Sequence, residues 1–388
     1  MHVRHLAVAD FRSWTSADLA LQPGPVVLVG ANGQGKTNLV EALGYLATLG
    51  SHRVAQDAPL IRAGAERAVV RAAVAADGRE LRVEVEIVAG RANRARLNGA
   101  PVSRPRDILG VLRTVLFAPE DLAIVRGDPS ERRRFLDEVV VARTPRMAGV
   151  RADYDRVLKQ RAALLKSAGG ARRRAGGTEL PTLDVWDGHL AEYGSQLLHA
   201  RLEAVRALRP HAAAAYAQVA PSSVELRLRY VTALAEVLPA LDTLNDPEHI
   251  PPPAELAQGM LAQLQLVRAA ELDRGVNLVG PHRDDLDARL GELPLRGYAS
   301  HGESWSAALS LRLGCYDLLR ADTLPGGDPV LILDDVFAEL DVDRRAQLAF
   351  VAGKAEQAII TAAVVGDVPP ELHGVRIGIS DGRIGHAE

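Results

Sequence analysis

The stretch that decides the fold is a loop of eight residues with the sequence Gly30-Ala31-Asn32-Gly33-Gln34-Gly35-Lys36-Thr37. It matches the pattern of a phosphate-binding P-loop, G-x-x-x-x-G-K-[ST], also called Walker A. An apolar run at 26–29 predicts a buried strand before the loop, and residues 38–43 predict the start of a helix after it. In that context the backbone N–H groups of the loop and of the helix N-terminus face a bound polyphosphate. The stretch therefore predicts an α/β fold that binds a nucleoside triphosphate.

Two side chains of the loop have predicted roles. Lys36 is expected to reach the β- and γ-phosphates of ATP, and the Thr37 hydroxyl is expected to hold Mg²⁺. Lysine is rare in this chain, because 42 of its 46 basic residues are arginine. A P-loop uses the compact ammonium of lysine as a point charge, so the lysine at position 36 supports the assignment. The backbone of the loop and the adjacent Asn38 are expected to contact the nucleotide as well.

Length and composition exclude several classes of protein. The 388 residues are enough for two domains, and 47% hydrophobic with 4% aromatic residues is typical of an Ala/Leu/Val-rich α/β protein. A net charge of −3 gives no overall basic field, so any DNA contact must come from a local patch. The single cysteine, Cys315, excludes an internal disulfide and a Cys₄ or Cys₂His₂ zinc site. No apolar run is long enough to span a membrane and no signal peptide is visible, so we expect a cytoplasmic protein without a membrane partner.

The pattern along the chain predicts a split ATPase domain. Two alternating segments on either side of Asp77-Gly78 predict a hairpin, and with a third strand at 93–97 they favour the antiparallel β-subdomain of ABC-type ATPases. Helical periodicity then dominates from about 129 to 274, and an α/β pattern returns from Val276. We therefore expect an ABC-type ATPase head formed by residues 1–118 and 275–388, with a mainly helical lobe inserted at 119–274.

Within that lobe, a Gly- and Arg-rich stretch at 169–177 predicts a flexible basic loop. It is either a solvated linker or a DNA contact made through Arg172 and Arg173. A second basic cluster follows Pro129, where Arg132 and Arg133 either track DNA phosphates or lie on a solvated helix face. All four arginines remain candidates for DNA binding.

A second group of acidic residues lies far along the chain. The apolar run Val330-Leu331-Ile332-Leu333 ends at Asp334-Asp335, which matches a Walker B motif on a strand adjacent to the P-loop, although a strand meeting a polar turn gives the same pattern. We assign Asp334 to Mg²⁺ and Asp335 to the attacking water, which makes these two residues and Lys36 the candidate catalytic set. ABC-type ATPases usually carry Glu at the second position, and the shorter Asp predicts slow hydrolysis or a relay through a second water. Glu339 and Asp341 follow where the D-loop is expected.

Residues 298–304 precede an apolar-periodic helix. Ser300, Gly302 and Glu303 match the core of the ABC signature, S-x-G-[QE]. A helix N-terminus at this point presents free N–H groups and the positive end of a dipole to an anion. Ser-x-Gly is also an ordinary helix cap, and the order of the motifs in the chain is what favours the signature. In that interpretation these three residues complete the nucleotide site of a partner protomer.

With these motifs in order, nearly the whole chain resembles the RecF family, bacterial recombination mediators among the SMC-like ABC ATPases. The segments that carry the resemblance are Phe11-Arg12, Ser51-His52-Arg53, Phe117-Ala118-Pro119-Glu120-Asp121-Leu122, Arg132-Arg133-Arg134-Phe135-Leu136-Asp137, Leu278-Val279-Gly280-Pro281-His282-Arg283-Asp284-Asp285, Ser300-His301-Gly302-Glu303, and Leu333-Asp334-Asp335-Val336-Phe337-Ala338-Glu339-Leu340-Asp341. The resemblance adds Arg12 to the ATP-binding residues. It also adds Glu120, which stands where a Q-loop glutamine is expected.

The resemblance implies an ATP-dependent homodimer with two nucleotides between the protomers. It further implies binding to gapped, single-stranded or junction DNA, partnership with RecO and RecR in loading the RecA recombinase, and roles at replication forks and in SOS induction. The usual Ser-Gln-Gly-Gln-Gln-Arg of the family is replaced by Ser-His-Gly-Glu-Ser-Trp at 300–305, which predicts a different strength of γ-phosphate sensing across the dimer. Glu120 in place of the Q-loop glutamine, and Thr361 where transporters place a switch histidine, together predict a slow ATPase that acts as a timer.

Other interpretations remain open at this point. They are a nucleotide-gated DNA clamp that barely hydrolyses ATP, a long-armed SMC protein and the nucleotide-binding subunit of a transporter. The short lobe disfavours the second, and no membrane-coupling feature supports the third. The run His282-Arg283-Asp284-Asp285 could be a metal or acid–base site, but a salt-bridged loop is favoured.

Overall fold

A computed structural model describes residues 1–175, 181–221, 224–238, 241, 249–322, 327–380 and 382–386, without the side chains of 168–175, 181 and 386. Its strands are β1 (His2–Phe11), β2 (Trp14–Ala20), β3 (Gly24–Val29), β4 (Arg67–Ala76), β5 (Arg79–Val88), β6 (Arg94–Leu97), β7 (Ala100–Pro101), β8 (Thr114–Phe117), β9 (Leu226–Val231), β10 (Asp285–Leu290), β11 (Leu293–Pro294), β12 (Val330–Asp334), β13 (Gln357–Ala362), β14 (Val375–Ser380) and β15 (Arg383–His386). Its helices are α1 (Lys36–Thr48), α2 (Leu122–Arg126), α3 (Pro129–Arg143), α4 (Met147–Ala175), α5 (Pro181–Val219), α6 (Pro253–Arg274), α7 (Leu295–Tyr298), α8 (His301–Ala321) and α9 (Val342–Lys354).

Two sheets enclose the P-loop helix. The antiparallel sheet has the order β2-β1-β4-β5-β6-β7, and the second sheet has the order β15-β14-β3-β13-β12-β8, parallel except for β15. Helix α1 contacts β1 and β4 on one side and β8 and β12 on the other. Because both faces of α1 are covered, even its polar Glu41 is buried. The predicted α/β architecture with an antiparallel subdomain is confirmed.

The hairpin predicted at Asp77-Gly78 is confirmed as the connection between β4 and β5. Asp77 has φ 50° and Gly78 has φ 72°, which are the left-handed values that a two-residue hairpin turn requires. Buried residues alternate with more exposed ones along both strands, and the exposed positions include Arg67, Arg71, Glu80 and Arg82. The inner side of this sheet therefore packs on the core, and the outer side faces solvent.

The chain divides into two compact units, and their limits differ from those expected. One unit contains residues 1–125, 210–225 and 299–388, and the other contains 126–209 and 226–298. Residues 275–298, expected in the ATPase domain, lie in the second unit because β10 pairs with β9 in a three-stranded sheet. Residues 210–225, expected in the helical lobe, lie in the first unit, where α8 touches the end of α5. A Cβ on Gly314 would come within 2.7 Å of the Ala212 backbone.

The flexible loop predicted at 169–177 is wrong over most of its length. Helix α4 continues to Ala175, because arginine and alanine favour helix strongly enough to outweigh the cost of the two glycines. Residues 176–180 lie outside the part of the chain that the structure describes. In the described residues, no helix is long and apolar enough to cross a membrane.

Candidate nucleotide-binding site

The P-loop connects β3 to α1, and two of its glycines are required by their surroundings. A Cβ on Gly30 would lie 2.1 Å from the carbonyl oxygen of Ile379 on β14, so only glycine fits beside that strand. Gly35 caps α1 with φ 97°, and a Cβ there would lie 2.6 Å from Nε1 of Trp14. That indole Nε1 donates a hydrogen bond of 3.0 Å to the Gly35 carbonyl oxygen. The loop is thus fixed by β14 on one side and by Trp14 on the other.

Lys36 lies at the first turn of α1 with its ammonium folded onto the loop. Its Nζ donates hydrogen bonds to the carbonyl oxygens of Gly30 (2.6 Å) and Ala31 (3.2 Å). Burial lowers the pKa of Lys36, and the nearby carboxylates of Asp335 and Asp334 partly oppose that shift. Neutral carbonyls are weaker partners for an ammonium than phosphate oxygens, so Lys36 can exchange them for a polyphosphate.

The predicted Walker B aspartates lie at the end of β12, as the sequence indicated. The end of this strand is adjacent to the P-loop, as expected, although β13 lies between β12 and the P-loop strand β3. Thr361 on β13 is the residue that lies directly beside Asp334 in the register of the two strands. Its hydroxyl donates to Asp334 Oδ1 (2.6 Å) and accepts from the Asp335 N–H (2.9 Å). Sequence reasoning noted Thr361 only as a replaced histidine and missed this bridging role.

Asp334 is buried and faces the P-loop directly. The Thr37 hydroxyl donates to Asp334 Oδ1 over 3.0 Å. Burial raises the pKa of Asp334 to about 6, against the hydrogen bonds from Thr361 and Thr37, which lower it. Asp335 adopts a left-handed φ of 56°, which bends the chain sharply at the end of the strand. The bend places the two neighbouring carboxylates in different surroundings.

The pair Thr37 and Asp334 fits Mg²⁺. Two neighbouring ligands of an octahedral Mg²⁺ at about 2.1 Å lie about 3.0 Å apart, and the two side-chain oxygens are 3.0 Å apart. Mg²⁺ at nucleotide sites takes one or two protein oxygens and completes its shell with water and phosphate. The described residues contain no cluster of three or more His, Cys, Asp or Glu side chains that could hold a metal without a nucleotide.

A buried ion-pair cluster beneath the P-loop helix was not predicted. Glu41 accepts two hydrogen bonds from Arg12, at 2.8 and 2.6 Å, and others from Ser51 and Arg53. Burial alone would raise the pKa of Glu41, but the hydrogen bonds from Arg12 and Ser51 and the charges of Arg12 and Arg53 lower it overall. An acidic residue inside the apolar run 39–43 was the only signal in the sequence. Because two nitrogens of Arg12 donate hydrogen bonds to Glu41, this arginine stabilises the P-loop helix α1.

Other predicted ATP-site residues lie around the loop. Asn38 donates to the hydroxyl of Ser13 (2.9 Å) and accepts from Arg53 (3.0 Å). The tip of the loop, from Ala31 to Gly33, is exposed, and Gln34 is half-buried. Glu120 follows β8 on an exposed turn, and its charge contributes to the raised pKa of Asp334. The structure therefore brings Lys36, Thr37, Asp334 and Glu120 to one edge of the parallel sheet.

The predicted signature residues form the N-terminus of α8. Ser300 Oγ accepts from the Glu303 N–H (3.2 Å), and Glu303 Oε2 accepts from the Ser300 N–H (2.8 Å). This reciprocal capping box lowers the pKa of Glu303 through its hydrogen bonds to Ser300. Gly302 lies in ordinary contact distance of the Arg344 guanidinium. The Glu303 carboxylate is therefore committed to the cap, while Ser300 itself is exposed.

The D-loop candidates lie between β12 and α9. Glu339 is exposed on a short 3₁₀ turn, and Asp341 caps α9 by accepting from the Arg344 N–H (3.0 Å). The Asp341 carboxylate also pairs with the Arg344 guanidinium at 2.5 Å. Arg344 thus lies beside both the signature and the D-loop.

Arg132 was a candidate for DNA binding, but its side chain is buried in an ion pair. It is 5% exposed, and its guanidinium makes two hydrogen bonds to the carboxylate of Asp285, at 2.7 and 2.8 Å. Arg133 donates to the backbone carbonyl of Asp284 (2.8 Å). The side chains of Arg172 and Arg173 lie outside the described residues. Arg132 and Arg133 therefore contribute to the internal structure of the second unit.

In the turn 280–285 the ion pair of the favoured salt-bridged interpretation is made by Asp285 with Arg132, and His282 and Asp284 are held by hydrogen bonds. His282 Nδ1 accepts from the Tyr154 hydroxyl over 2.7 Å, and Asp284 accepts from the Tyr230 hydroxyl over 2.9 Å. Both side chains are enclosed within one unit, and Asp284 is 2% exposed. The residues act as internal hydrogen-bond partners and do not form a metal site within the described chain.

Comparisons with known proteins agree with this geometry. Residues 2–366 match the model of the RecF/RecN/SMC N terminal domain. The chain is 58% identical over 384 residues to the DNA replication and repair protein RecF of Frankia alni (strain DSM 45986 / CECT 9034 / ACN14a), and the alignment covers 99% of both chains.

Solved structures extend the comparison to the fold. A structure of the recombination mediator protein RecF-ATPrS in the RecFOR pathway superposes with a TM-score of 0.86 at 26% identity, over 100% of this chain and 98% of that one. The Smc head domain of Pyrococcus furiosus, bound to the C-terminal domain of ScpA, shares the fold alone, with a TM-score of 0.52 at 16% identity, over 100% of this chain and 96% of that one. The motif order, the site geometry and the near-complete match to a curated relative lead to one conclusion: this chain belongs to the RecF family of DNA replication and repair proteins, within the ABC-type ATPases.

Proposed function

We propose that this protein binds ATP with Mg²⁺ at the P-loop and uses the nucleotide to control DNA binding in recombinational repair. The observation that carries the proposal is the row formed by Thr37, Asp334 and Thr361, with Lys36 beside it. This row unites the Walker A and Walker B residues, which lie about 300 positions apart in the sequence, at one point. The structure related to this chain at 26% identity is of RecF-ATPrS, which supports ATP as the nucleotide.

Each residue of the site has a proposed role. Thr37 and Asp334 would hold Mg²⁺, which when bound neutralises charge on the β- and γ-phosphate oxygens. Lys36 orients the phosphates, and the N–H groups of the loop 30–37 donate to them. Asp335 accepts a hydrogen bond from the water that attacks, and the hydrogen bond from its backbone N–H to Thr361 fixes its position.

Hydrolysis is proposed to be slow. The carboxylate of Asp335 is one methylene shorter than the glutamate usual at this position in ABC-type ATPases, so it lies farther from the attacking water. Proton transfer then needs either an extra water or a rearrangement of the strand end. Slow turnover would keep the ATP-bound state long-lived, as a timer requires.

The proposed ATP state is a homodimer. The exposed Ser300 and the positive end of the α8 helix dipole offer a site for the γ-phosphate of a nucleotide held by a second protomer. Glu339 and Asp341, beside the signature, would line the same contact. ADP lacks the γ-phosphate and would leave the protein monomeric. Gapped, single-stranded or junction DNA, with RecO and RecR as protein partners in the cytoplasm, completes the proposal.

A binding series tests the function directly. Fluorescence anisotropy of a labelled gapped duplex is measured with ATP, with ADP and without nucleotide, for the wild type and for Lys36→Ala. We expect at least a ten-fold preference for the ATP state in the wild type. We expect no such preference in Lys36→Ala, which loses the charge that faces the phosphates. Equal DNA affinity in all three nucleotide states would contradict the proposal, and so would ATP binding by Lys36→Ala within two-fold of the wild type.

A nucleotide-gated clamp with negligible hydrolysis is the second candidate, and the short Asp335 favours it. The two differ in the phosphate released per protomer when DNA is present. A measurable turnover that Asp335→Asn abolishes supports the ATPase, whereas ATP-dependent DNA binding without turnover supports the clamp.

A further inference from the structure

The outer side of the antiparallel sheet carries a cavity of about 550 Å³ that the nucleotide site does not use. It lies across β1, β4, β5 and β6. Along β5 the residues Val83, Val85 and Ile87 are buried, so the alternate side chains of the strand point to solvent. The cavity is therefore open to solvent on the face opposite to α1.

Arginine dominates this face. The outward positions of β4, β5 and β6, with the neighbouring Arg4, carry six arginines and three glutamates: Arg4, Arg67, Arg71, Arg82, Arg94, Arg96, Glu80, Glu84 and Glu86. With Asp18 of β2, which lies on the same side of the sheet opposite Ala7, the excess is two positive charges, against a net charge of −3 for the whole chain. The charge is concentrated on one sheet of an otherwise acidic protein.

Four arginines around the cavity pair with only two carboxylates, those of Glu80 and Glu84. Arg71 and Arg96 lie directly opposite Glu84 on its two neighbouring strands, and both pair with it. Arg4 of β1 and Arg82, two residues further along β5, both pair with Glu80, at 3.2 and 3.3 Å. One carboxylate balances one guanidinium, so each group keeps about one uncompensated positive charge. We call these six residues the arginine face.

The ion pairs of the arginine face are easily exchanged. Its four arginine side chains are between 53% and 77% exposed. Exposed pairs of this kind contribute roughly 0–1 kcal/mol each to stability. A guanidinium can therefore leave its carboxylate for a better anion at little cost, and a phosphate offers two oxygens to the planar fork of arginine.

Two further features shape the cavity, a bulge in β1 and the small side chains between the arginines. The register between β1 and β4 shifts between Val3 and His5, which marks a bulge at Arg4. Bulges turn a side chain out of the regular alternation and are common beside functional sites. Between the arginines the cavity is lined by Ala7, Ala73 and Gly99 and by the imidazole of His5. The groove can thus admit a chain of anions between walls of arginine.

We propose that the arginine face binds the phosphodiester backbone of DNA. Glu80 and Glu84 are four residues apart on β5, so the two arginine pairs lie about 13 Å apart along the strand. DNA carries about one charge per 1.7 Å of its axis, so this spacing spans several phosphates. An acidic peptide is less suitable, because the residues that line the cavity include no Phe, Tyr or Trp as an anchor. The inference rests on the proposed DNA-binding function and assigns it a surface.

Opposite charge changes test the arginine face. The double variant Arg71→Gln/Arg96→Gln removes two phosphate partners, and Glu84→Gln releases the same two arginines from their shared carboxylate. The matched control is Arg156→Gln/Arg227→Gln, which removes two similarly exposed arginines that pair with Asp153 and Glu292 elsewhere. Each protein is titrated against a labelled gapped duplex with ATP between 50 and 200 mM salt.

We expect Arg71→Gln/Arg96→Gln to bind DNA about ten-fold more weakly, with a salt slope reduced by about two. Glu84→Gln should bind about three-fold more tightly, a gain that a purely structural role would not give. The control should stay within two-fold of the wild type.

Each other outcome has a definite meaning. If the wild type binds DNA and both the double variant and Glu84→Gln match it, the arginine face is not the DNA surface, and the proposed function stands. If the wild type binds no DNA in any nucleotide state, the proposed function itself fails. Displacement of DNA by poly-glutamate at equal charge concentration would assign the face to an acidic polypeptide instead.

Discussion

Thr361 connects the two acidic residues of the candidate site through a single hydroxyl. It donates to the buried carboxylate of Asp334 and accepts from the backbone of Asp335, whose left-handed φ it helps to fix. A valine at this position has nearly the same shape but neither hydrogen bond. The residue therefore allows packing and polarity to be separated experimentally.

We predict that Thr361→Val lowers the free energy of unfolding by about 1–3 kcal/mol at pH 7, because a buried carboxylate and an N–H lose their partner. The Mg²⁺ concentration needed for half-maximal ATP binding should rise, since Asp334 is held less firmly. Thr361→Ser keeps the hydroxyl and should recover most of both losses. Urea unfolding and calorimetric titration measure the two effects. Indistinguishable valine and serine variants would show that the hydroxyl has no such role.

The residues of the P-loop could be predicted because they are contiguous in sequence and their spacing is set by the shape of a polyphosphate. The bidentate pair of Arg12 with Glu41 could not, because it joins positions 29 apart that only the folded sheet brings together. Arg132 illustrates the opposite limit. A run of arginines on a helix suggests a charged surface, and the sequence does not reveal that Asp285 of a distant strand pairs with one of them.

At the scale of elements, the turn between α6 and β10 contains two buried groups with opposite pKa shifts. Burial raises the pKa of Asp284 to about 7, although Tyr230, Thr232, Arg201 and Arg133 all favour its charged form. Burial lowers the pKa of His282 to about 4, against its hydrogen bond to Asn277. Between about pH 4 and 7 both groups are therefore favoured in their neutral forms when the protein is folded.

The two shifts have opposite consequences for stability. Between about pH 4 and 6.5 the unfolded chain binds a proton at His282 that the folded chain lacks, so stability rises with pH. Over the same range the folded chain keeps a proton on Asp284 that the unfolded chain, with a pKa of 3.8, has lost, so stability falls with pH. The two contributions nearly cancel in the wild type.

We predict that substitution of either residue exposes the contribution of the other. Asp334, whose pKa is raised to about 6, adds its own slope to every variant, so each variant is compared with the wild type. In Asp284→Asn the slope of the free energy of unfolding against pH between 4.5 and 6.5 should be more positive than in the wild type, by at most about 1.4 kcal/mol per pH unit. In His282→Gln the slope should be more negative than in the wild type by a similar amount, whatever the absolute loss of stability. Urea unfolding at four pH values gives the slopes. Changes of the same sign in the two variants, each relative to the wild type, would contradict the assignment.

Elements with a strong local sequence signal could be predicted. Elements in which opposing local preferences compete, or which depend on tertiary pairing, could not. Asp77-Gly78 fixed the β4–β5 hairpin, because its two residues can adopt the left-handed turn and the flanking residues alternate. The loop predicted over 169–175 was wrong, because the glycine pair there favours a loop while the arginines and alanines favour the helix that forms. The position of β13 between β3 and β12 depends on tertiary pairing, for which a strand's own sequence carries no signal.

At the scale of the whole molecule, the proposed shared site would make the dimer the active form. Ser300→Arg should then bind ATP but neither dimerise nor hydrolyse it, because a large cation would block the helix N-terminus that is proposed to meet the partner's γ-phosphate. Lys36→Met should fail for the complementary reason. A mixture of the two variants should recover part of the ATPase, since a heterodimer contains one site with wild-type Lys36 and wild-type Ser300.

The measurement is phosphate release by each variant alone and by the mixture, with heterodimer formation followed by light scattering. Lys159→Met in place of Lys36→Met is the control, because a surface lysine elsewhere should leave its own chain active before mixing. A mixture that stays inactive although heterodimers form would contradict a shared site. ATP-induced dimerisation of Ser300→Arg would contradict it as well.

The pairing of β3 also constrains how the protein is made. This strand at residues 24–29 leaves the ribosome early, but both of its partners, β13 and β14, come more than 300 residues later. At a synthesis rate of roughly 5–20 residues per second, the apolar P-loop strand waits about 20–60 s with both edges unpaired. The nascent chain must therefore carry an exposed β-edge through most of translation, and the nucleotide site can form only when the last strands have emerged.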